Sequence, residues 1–210
     1  MINNLPLIYK IYKKLLKSKR SYLKETGWIR SVEKGVPCDS HGNPLPWMNY
    51  SVIAFLNERL KKNMSLFEYG SGYSTLYFAK KVGSVTSVEY NKTWYEDIKK
   101  IKPHNVQIIY QEIEPCGKYC QTINSHGKGE YDIVVVDGKE RFSCTKIALS
   151  KISSSGVIIL DDSHREEYQE IFLHLKSEGF SSIEFEGLKP AGNRLDATAI
   201  FYRTGNCLNI

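Results

Sequence analysis

Residues 67–75 read Phe67-Glu68-Tyr69-Gly70-Ser71-Gly72-Tyr73-Ser74-Thr75. The apolar run Ser65–Tyr69 ends at two glycines one residue apart, and helical spacing takes over from Ser74 to Lys81. That is a strand, a tight turn and a helix, in the order that lets a backbone pass close to a ligand. The alternation continues beyond it. Val85–Glu89, Val106–Tyr110, Tyr131–Asp137 and Val157–Asp161 are short apolar or β-branched runs. Lys92–Ile101, the region of Cys144–Ser150, and Glu166–Glu178 have helical spacing. Ile183–Glu186 and Ala197–Tyr202 close the chain as a pair of strands. Near-continuous apolar strands separated by helices predict an α/β fold with a parallel sheet buried on both faces. The expected class is a Rossmann-like, doubly wound, mostly parallel sheet with a closing antiparallel pair and an N-terminal helical extension.

The GxG of Gly70 and Gly72 is half of a dinucleotide fingerprint, and Thr75 stands where its last glycine would be. Glu89 ends the second strand, where an acid can accept hydrogen bonds from both hydroxyls of a ribose. Glu68 immediately precedes the glycines. A carboxylate there repels a pyrophosphate and suits an ammonium group, which favours S-adenosylmethionine (SAM) over a dinucleotide. The expected cofactor contacts are Glu68, Gly70, Ser71, Gly72, Ser74, Thr75, Glu89, Tyr90 and Asp137.

Upstream, Asn49–Lys62 has a helical apolar face, and residues 36–47 (VPCDSHGNPLPW) form a loop. Residues 1–62 are expected to be an extension and packing helix, and residues 63–210 the cofactor-binding domain. The net charge of +6 is unevenly placed. The first 24 residues hold seven lysines and arginines and no acid, leaving 22 basic against 23 acidic residues elsewhere. A body so near neutrality argues against a nucleic-acid partner. Within the basic segment Ile8, Ile11, Tyr12, Leu15 and Leu16 recur at helical spacing. Such a helix either packs on the domain or lies on an anionic membrane surface. Five cysteines without a CxxC pair read as reduced thiols, and the expected location is cytoplasmic, with peripheral membrane contact through residues 1–24.

The strings FEYGSGYST (67–75) and SVEYNKTWY (87–95) resemble the first two motifs of class I SAM-dependent methyltransferases. With PWMNY (46–50), YDIVVVDGKERFSC (131–144), GVIILDDSHREEY (156–168) and FYRTGNCLNI (201–210), residues 20–210 resemble a bacterial group of such enzymes found with surface-polysaccharide genes. The resemblance implies methyl transfer from SAM to an oxygen, with a sugar hydroxyl of a glycan precursor as the favoured acceptor. It does not identify the acceptor.

Asp137, Asp161 and Asp162 end the fourth and fifth strands, so all three are expected at one cleft, where their mutual repulsion calls for a cation or protons. Mg²⁺ takes carboxylate oxygens and acidifies a bound hydroxyl. The positions match the metal-binding acids of catechol-type and macrolide-sugar O-methyltransferases, which the chain is similar to here. Asp137, Asp161 and His164 are the expected catalytic residues, His164 as a general base. Arg141 and Arg165 suit either an anionic acceptor or ion pairs with these acids. Three rival readings stand beside this one: an aminopropyltransferase-like enzyme, a nicotinamide oxidoreductase, and a non-catalytic membrane-associated scaffold.

Overall fold

The computed structural model describes residues 5–125 and 131–210. Seven strands are formed: β1 (Ser65–Tyr69), β2 (Ser84–Glu89), β3 (Val106–Tyr110), β4 (Tyr131–Val136), β5 (Ile152–Asp161), β6 (Ser181–Gly187) and β7 (Asp196–Tyr202). They lie in one sheet in the order β3-β2-β1-β4-β5-β7-β6. The first five are parallel, and β7 runs antiparallel to both β5 and β6. The sheet is mixed α/β and Rossmann-like, as the strand pattern predicts.

The order reverses at β1, which pairs with β2 on one side and β4 on the other. A cleft opens at such a reversal, beyond the carboxyl ends of the strands. Both faces are covered, because successive side chains of each strand point to opposite sides. Leu66, Ile133, Val135 and Ile159 pack on one face against Val52 and Leu56 of α4 (Tyr50–Arg59) and Phe78 of α5 (Tyr73–Lys81). Phe67, Tyr69, Val134 and Ile158 pack on the other. There they meet Tyr119 and Ile123 of one helix (Lys118–Ser125), Cys144 of a second (Arg141–Ala148) and Ile171 of a third (Gln169–Ser177). The edge strand β6 carries Ser182, Glu184 and Glu186 on an exposed face, which discourages pairing with another chain.

The elements differ from the sequence expectation in four places. The helix Lys118–Ser125 is not evident in the sequence, because its polar eight residues bury only Tyr119, Cys120, Thr122 and Ile123. The β5 strand starts at Ile152, five residues earlier than its apolar run, and the helix expected around Cys144–Ser150 spans Arg141–Ala148. Glu166–Tyr168 is a 3₁₀ turn that leads into the α-helix Gln169–Ser177.

The described residues N-terminal to β1 are largely helical. Leu5–Tyr12 (α1) runs on as a π-helical turn over Lys13–Lys17, and Tyr22–Glu25 (α2) and Trp28–Lys34 (α3) follow before α4. Both α3 and α4 are tied to the carboxyl end of the sheet. Trp28 Nε1 donates to Gly192 O at 2.7 Å, and Asn49 Nδ2 donates to Phe185 O at 2.8 Å.

Candidate active site

The first part of the site is the turn from β1 to α5. Gly70 has φ +103°, a backbone conformation open to glycine, and a Cβ there would come within 3.3 Å of Asp137 O. Gly72 lies under the indole of Trp94, whose Nε1 donates to Ser71 O at 2.6 Å. Thr75 Oγ1 accepts from Gly72 N at 3.0 Å and donates to Glu68 Oε2 at 2.5 Å. The residue that replaces a third glycine therefore links the loop to the acid before it.

Glu68 is buried. Its Oε2 also accepts from Ser87 Oγ at 2.8 Å, while Oε1 has no partner. Burial pushes the carboxyl up to about 7, with the nearby hydroxyls of Ser74, Thr75 and Ser87 pulling the other way. A buried oxygen without a donor costs free energy until something donates to it. Glu68 lines a cavity of about 290 Å³ together with Gly70, Ser71, Ser74, Glu89 and Tyr90. All the expected cofactor residues except Gly72 and Thr75 line this cavity, and those two hold its wall through the contacts just described.

Glu89 is more heavily engaged than the sequence indicates. Its Oε2 accepts from Ser71 N (3.0 Å) and Ser71 Oγ (2.9 Å), and its Oε1 from Tyr90 N (2.9 Å) and Asn91 N (2.8 Å). Four donors fill the usual acceptor capacity of a carboxylate. Only one of these donors, Ser71 Oγ, sits on a rotatable hydroxyl.

The second part is the acid cluster at the ends of β4 and β5. Asp137, half-buried, lines the first cavity and two others, of about 590 and 390 Å³. Its Oδ1 accepts from Arg141 at 3.1 Å. Burial and the neighbouring charge of Asp161 raise its carboxyl well above the ordinary range, with Arg141 pulling the other way. Asp161 accepts from Thr198 Oγ1 at 2.6 Å and from Lys189 Nζ at 2.7 Å. Asp162 accepts from the same Nζ at 2.6 Å and from Arg165 at 2.5 Å. Burial raises the Asp161 carboxyl. Asp162 is also pushed up by burial, but its bond to Lys189 and the charges of Lys189, Arg141 and Arg165 leave it lowered. The same two carboxylates hold the Lys189 ammonium above its usual value, against the cost of its burial.

Three acids thus face three cations, Arg141, Arg165 and Lys189, and the repulsion foreseen in the sequence is met by side chains of this chain. This arrangement does not fit Mg²⁺. The position between Asp161 and Asp162 is taken by an ammonium group, and among the described residues no group of three or more acids, histidines or cysteines could hold a metal ion. Nothing in the sequence singles out Lys189. It sits in a Pro- and Gly-containing loop 27 residues past Asp162, and only the β6–β7 connection brings it back.

His164 lies apart. Asp162 has φ +51°, and Ser163 N then donates to Ala197 O, which turns the chain toward the start of β7. His164 Nδ1 accepts from Ala197 N at 3.3 Å, and Nε2 lies 4.0 Å from Asp196. His164 lines none of the three cavities, so the geometry does not place it as a base in the cleft. Arg141 resolves toward ion pairing. It donates to Gly138 O, to Asp161 O and to Asp137, and its guanidinium lies 4.9 Å from the Tyr168 ring.

No family model and no curated protein matches the chain. Its structure is similar to that of the O-methyltransferase TomG from Streptomyces achromogenes, involved in tomaymycin synthesis and solved in complex with SAM. That likeness has a TM-score of 0.61 at 16% identity, over 95% of this chain and 96% of that one. An O-methyltransferase from Bacillus cereus, solved with S-adenosylhomocysteine (SAH), matches with a TM-score of 0.60 at 15% identity, over 94% and 97%. A methyltransferase-like protein from Silicibacter pomeroyi matches with a TM-score of 0.54 at 23% identity, over 76% and 89%. The chain has the Rossmann-like fold on which these methyltransferases are built.

Proposed function

We propose that the protein is a SAM-dependent methyltransferase that methylates a hydroxyl of a small polar acceptor. The observation that carries this reading is the unpartnered, buried Oε1 of Glu68 beside the glycine turn. Its environment suits an ammonium donor. It opposes a pyrophosphate, which weakens the nicotinamide reading. A dead scaffold has no reason to retain so costly a group.

When bound, SAM supplies a methyl group on a sulfonium centre. Glu68 would take its amino-acid end, the Gly70–Gly72 turn would let it approach the backbone, and Glu89 would accept from its ribose. The protein's remaining task is to align the acceptor and remove its proton. Asp137 suits the second task. It borders all three cavities, and its raised carboxyl makes it a better base than an ordinary aspartate. Asp137 would accept the hydroxyl proton, while bound SAM would supply the methyl group by loss of its S–CH3 bond and leave as SAH.

The cavity of about 390 Å³ is the proposed acceptor site. Trp47, half exposed, gives it an aromatic wall, and Lys189, Arg165, Asp161 and Asp162 give it polar ones. That mixture suits a sugar ring, which offers hydroxyls at its rim and C–H groups on its face. It supports, together with the resemblance noted above, a glycan-precursor acceptor. Arg165 and Lys189 stand against a polyamine and hence against an aminopropyltransferase. Assistance by Mg²⁺, expected from the three acids, loses its basis because Lys189 bridges two of them, and no step is assigned to a metal. Incubating the protein with methyl-labelled SAM and a panel of nucleotide sugars and lipid-linked saccharides tests the reading. Label transferred to a hydroxyl supports it, and label transferred only to amines contradicts it.

A further inference from the structure

The N-terminal helix settles on neither of the two arrangements that a basic amphipathic segment ordinarily reaches inside a protein. It neither packs its apolar face on the domain nor pairs its lysines. From Pro6 to Lys17 no residue is buried, and Leu16 alone is half-buried. Ile8 and Tyr9 are 60% and 62% exposed, and Leu7, Ile11, Tyr12 and Leu15 are exposed with them. The helix is held to the body at its far end, where Ser21 Oγ donates to Leu15 O at 2.7 Å.

Helical spacing sorts the two residue classes. Ile8, Ile11, Tyr12 and Leu15 fall on one arc, and Lys10, Lys13 and Lys14 on the opposite one. Lys17 borders the apolar arc, its Nζ 5.8 Å from the Tyr12 ring, as a snorkelling lysine does at an interface. No helix among the described residues is long and apolar enough to cross a membrane.

We infer that residues 5–17 form a docking element for the surface of an anionic lipid bilayer. Charge complementarity selects this occupant. Seven basic residues and no acid in the first 24 residues would repel a second copy of the same helix, whereas they attract anionic headgroups. The apolar arc then enters the boundary of the acyl chains, with Tyr9 and Tyr12 at headgroup level. So short a helix gains little from its own hydrogen bonds in water, and partition into the interface stabilises it. Residues 1–4 of the basic segment lie outside the described residues.

The inference does not depend on the methyltransferase reading, and its test has its own readout. The full chain is floated with vesicles of phosphatidylcholine alone and with vesicles containing about 30 mol % phosphatidylglycerol. Binding to the anionic vesicles and not to the neutral ones is expected, with loss at high salt as the charges are screened. The triple variant Lys10→Gln, Lys13→Gln, Lys14→Gln should lower the partition coefficient about 100-fold, at several-fold per charge near the surface. The triple variant Ile8→Ser, Ile11→Ser, Leu15→Ser should also abolish binding, with an unchanged melting temperature showing that the body is intact. Equal binding to neutral and anionic vesicles would overturn the inference. So would wild-type binding by the apolar variant, or a lipid-independent dimer that this variant dissolves.

Discussion

Lys189 Nζ lies 2.7 Å from Asp161 Oδ2, and the same ammonium reaches Asp162 Oδ1 at 2.6 Å. The lysine side chain is only 11% exposed. A buried charge is tolerable when it is paired and hydrogen-bonded, and here one cation serves two carboxylates at the position a divalent ion would need. The proposed methyl transfer should therefore be unaffected by chelators, and the protein's melting temperature should not rise with added Mg²⁺.

Removing Lys189 exposes what it compensates. Lys189→Ala should destabilise the fold by about 3–5 kcal/mol, because the buried Asp161 carboxylate loses its ion-pair partner and Asp162 keeps only Arg165 and Arg141. The same variant, unlike the wild type, should regain melting temperature in Mg²⁺ or Mn²⁺, since the vacated acid pair then suits a hard cation. A wild-type protein that melts higher in Mg²⁺, or stops turning over in chelator, would contradict the account.

Glu68 should make both stability and cofactor binding depend on pH. Its carboxyl is raised from 4.5 to about 7 by burial. The native state then holds a proton that the unfolded chain has released, so its contribution is fully present below pH 4.5 and is lost as pH rises through about 7. The loss amounts to roughly 3 kcal/mol at most. A bound ammonium favours the ionised form, so the Kd for SAH should fall as pH rises toward 7 and level off above it. Glu68→Gln should flatten both dependences, read from melting curves and calorimetry across pH 5–8.

Glu89 and Ser71 separate ligand contact from loop support. Glu89→Ala should weaken SAH binding about 100-fold, the scale of losing hydrogen bonds to a charged acceptor. Ser71→Ala leaves the carboxylate and frees one of its acceptor positions, so its affinity should stay within about threefold of wild type. A large loss in Ser71→Ala with little in Glu89→Ala would reverse the assignment.

Asp137→Asn should lower kcat by about 10²–10⁴ with SAH affinity nearly unchanged, as expected for a lost general base. In the wild type, kcat should fall as pH drops through the raised pKa of Asp137, because only the carboxylate accepts a proton. An Asn variant with full kcat would move the proton transfer elsewhere.

The parallel sheet is legible in the sequence because its strands are buried on both faces and leave continuous apolar runs. Ile133–Val136 in β4 and Val157–Leu160 in β5 are the clearest, and every residue of both runs is wholly buried. The turn at Gly70 is legible for a backbone reason, and the acids at the strand ends for a topological one. Two things are hidden. Lys189 lies in a loop with no periodicity, and its partners are fixed by the antiparallel return of β7 beside β5. His164 adjoins the two aspartates in sequence, yet the left-handed turn at Asp162 sends it to β7. Adjacency along the chain carries no information about adjacency in the cleft at either position.

The central claim is that the glycine turn and Glu68 bind SAM. Calorimetric titration of the purified full chain with SAH, and in parallel with NAD⁺, tests it most directly. The account predicts saturable single-site binding of SAH and no heat from NAD⁺. Absence of SAH binding, or saturable binding of NAD⁺ in its place, would contradict it.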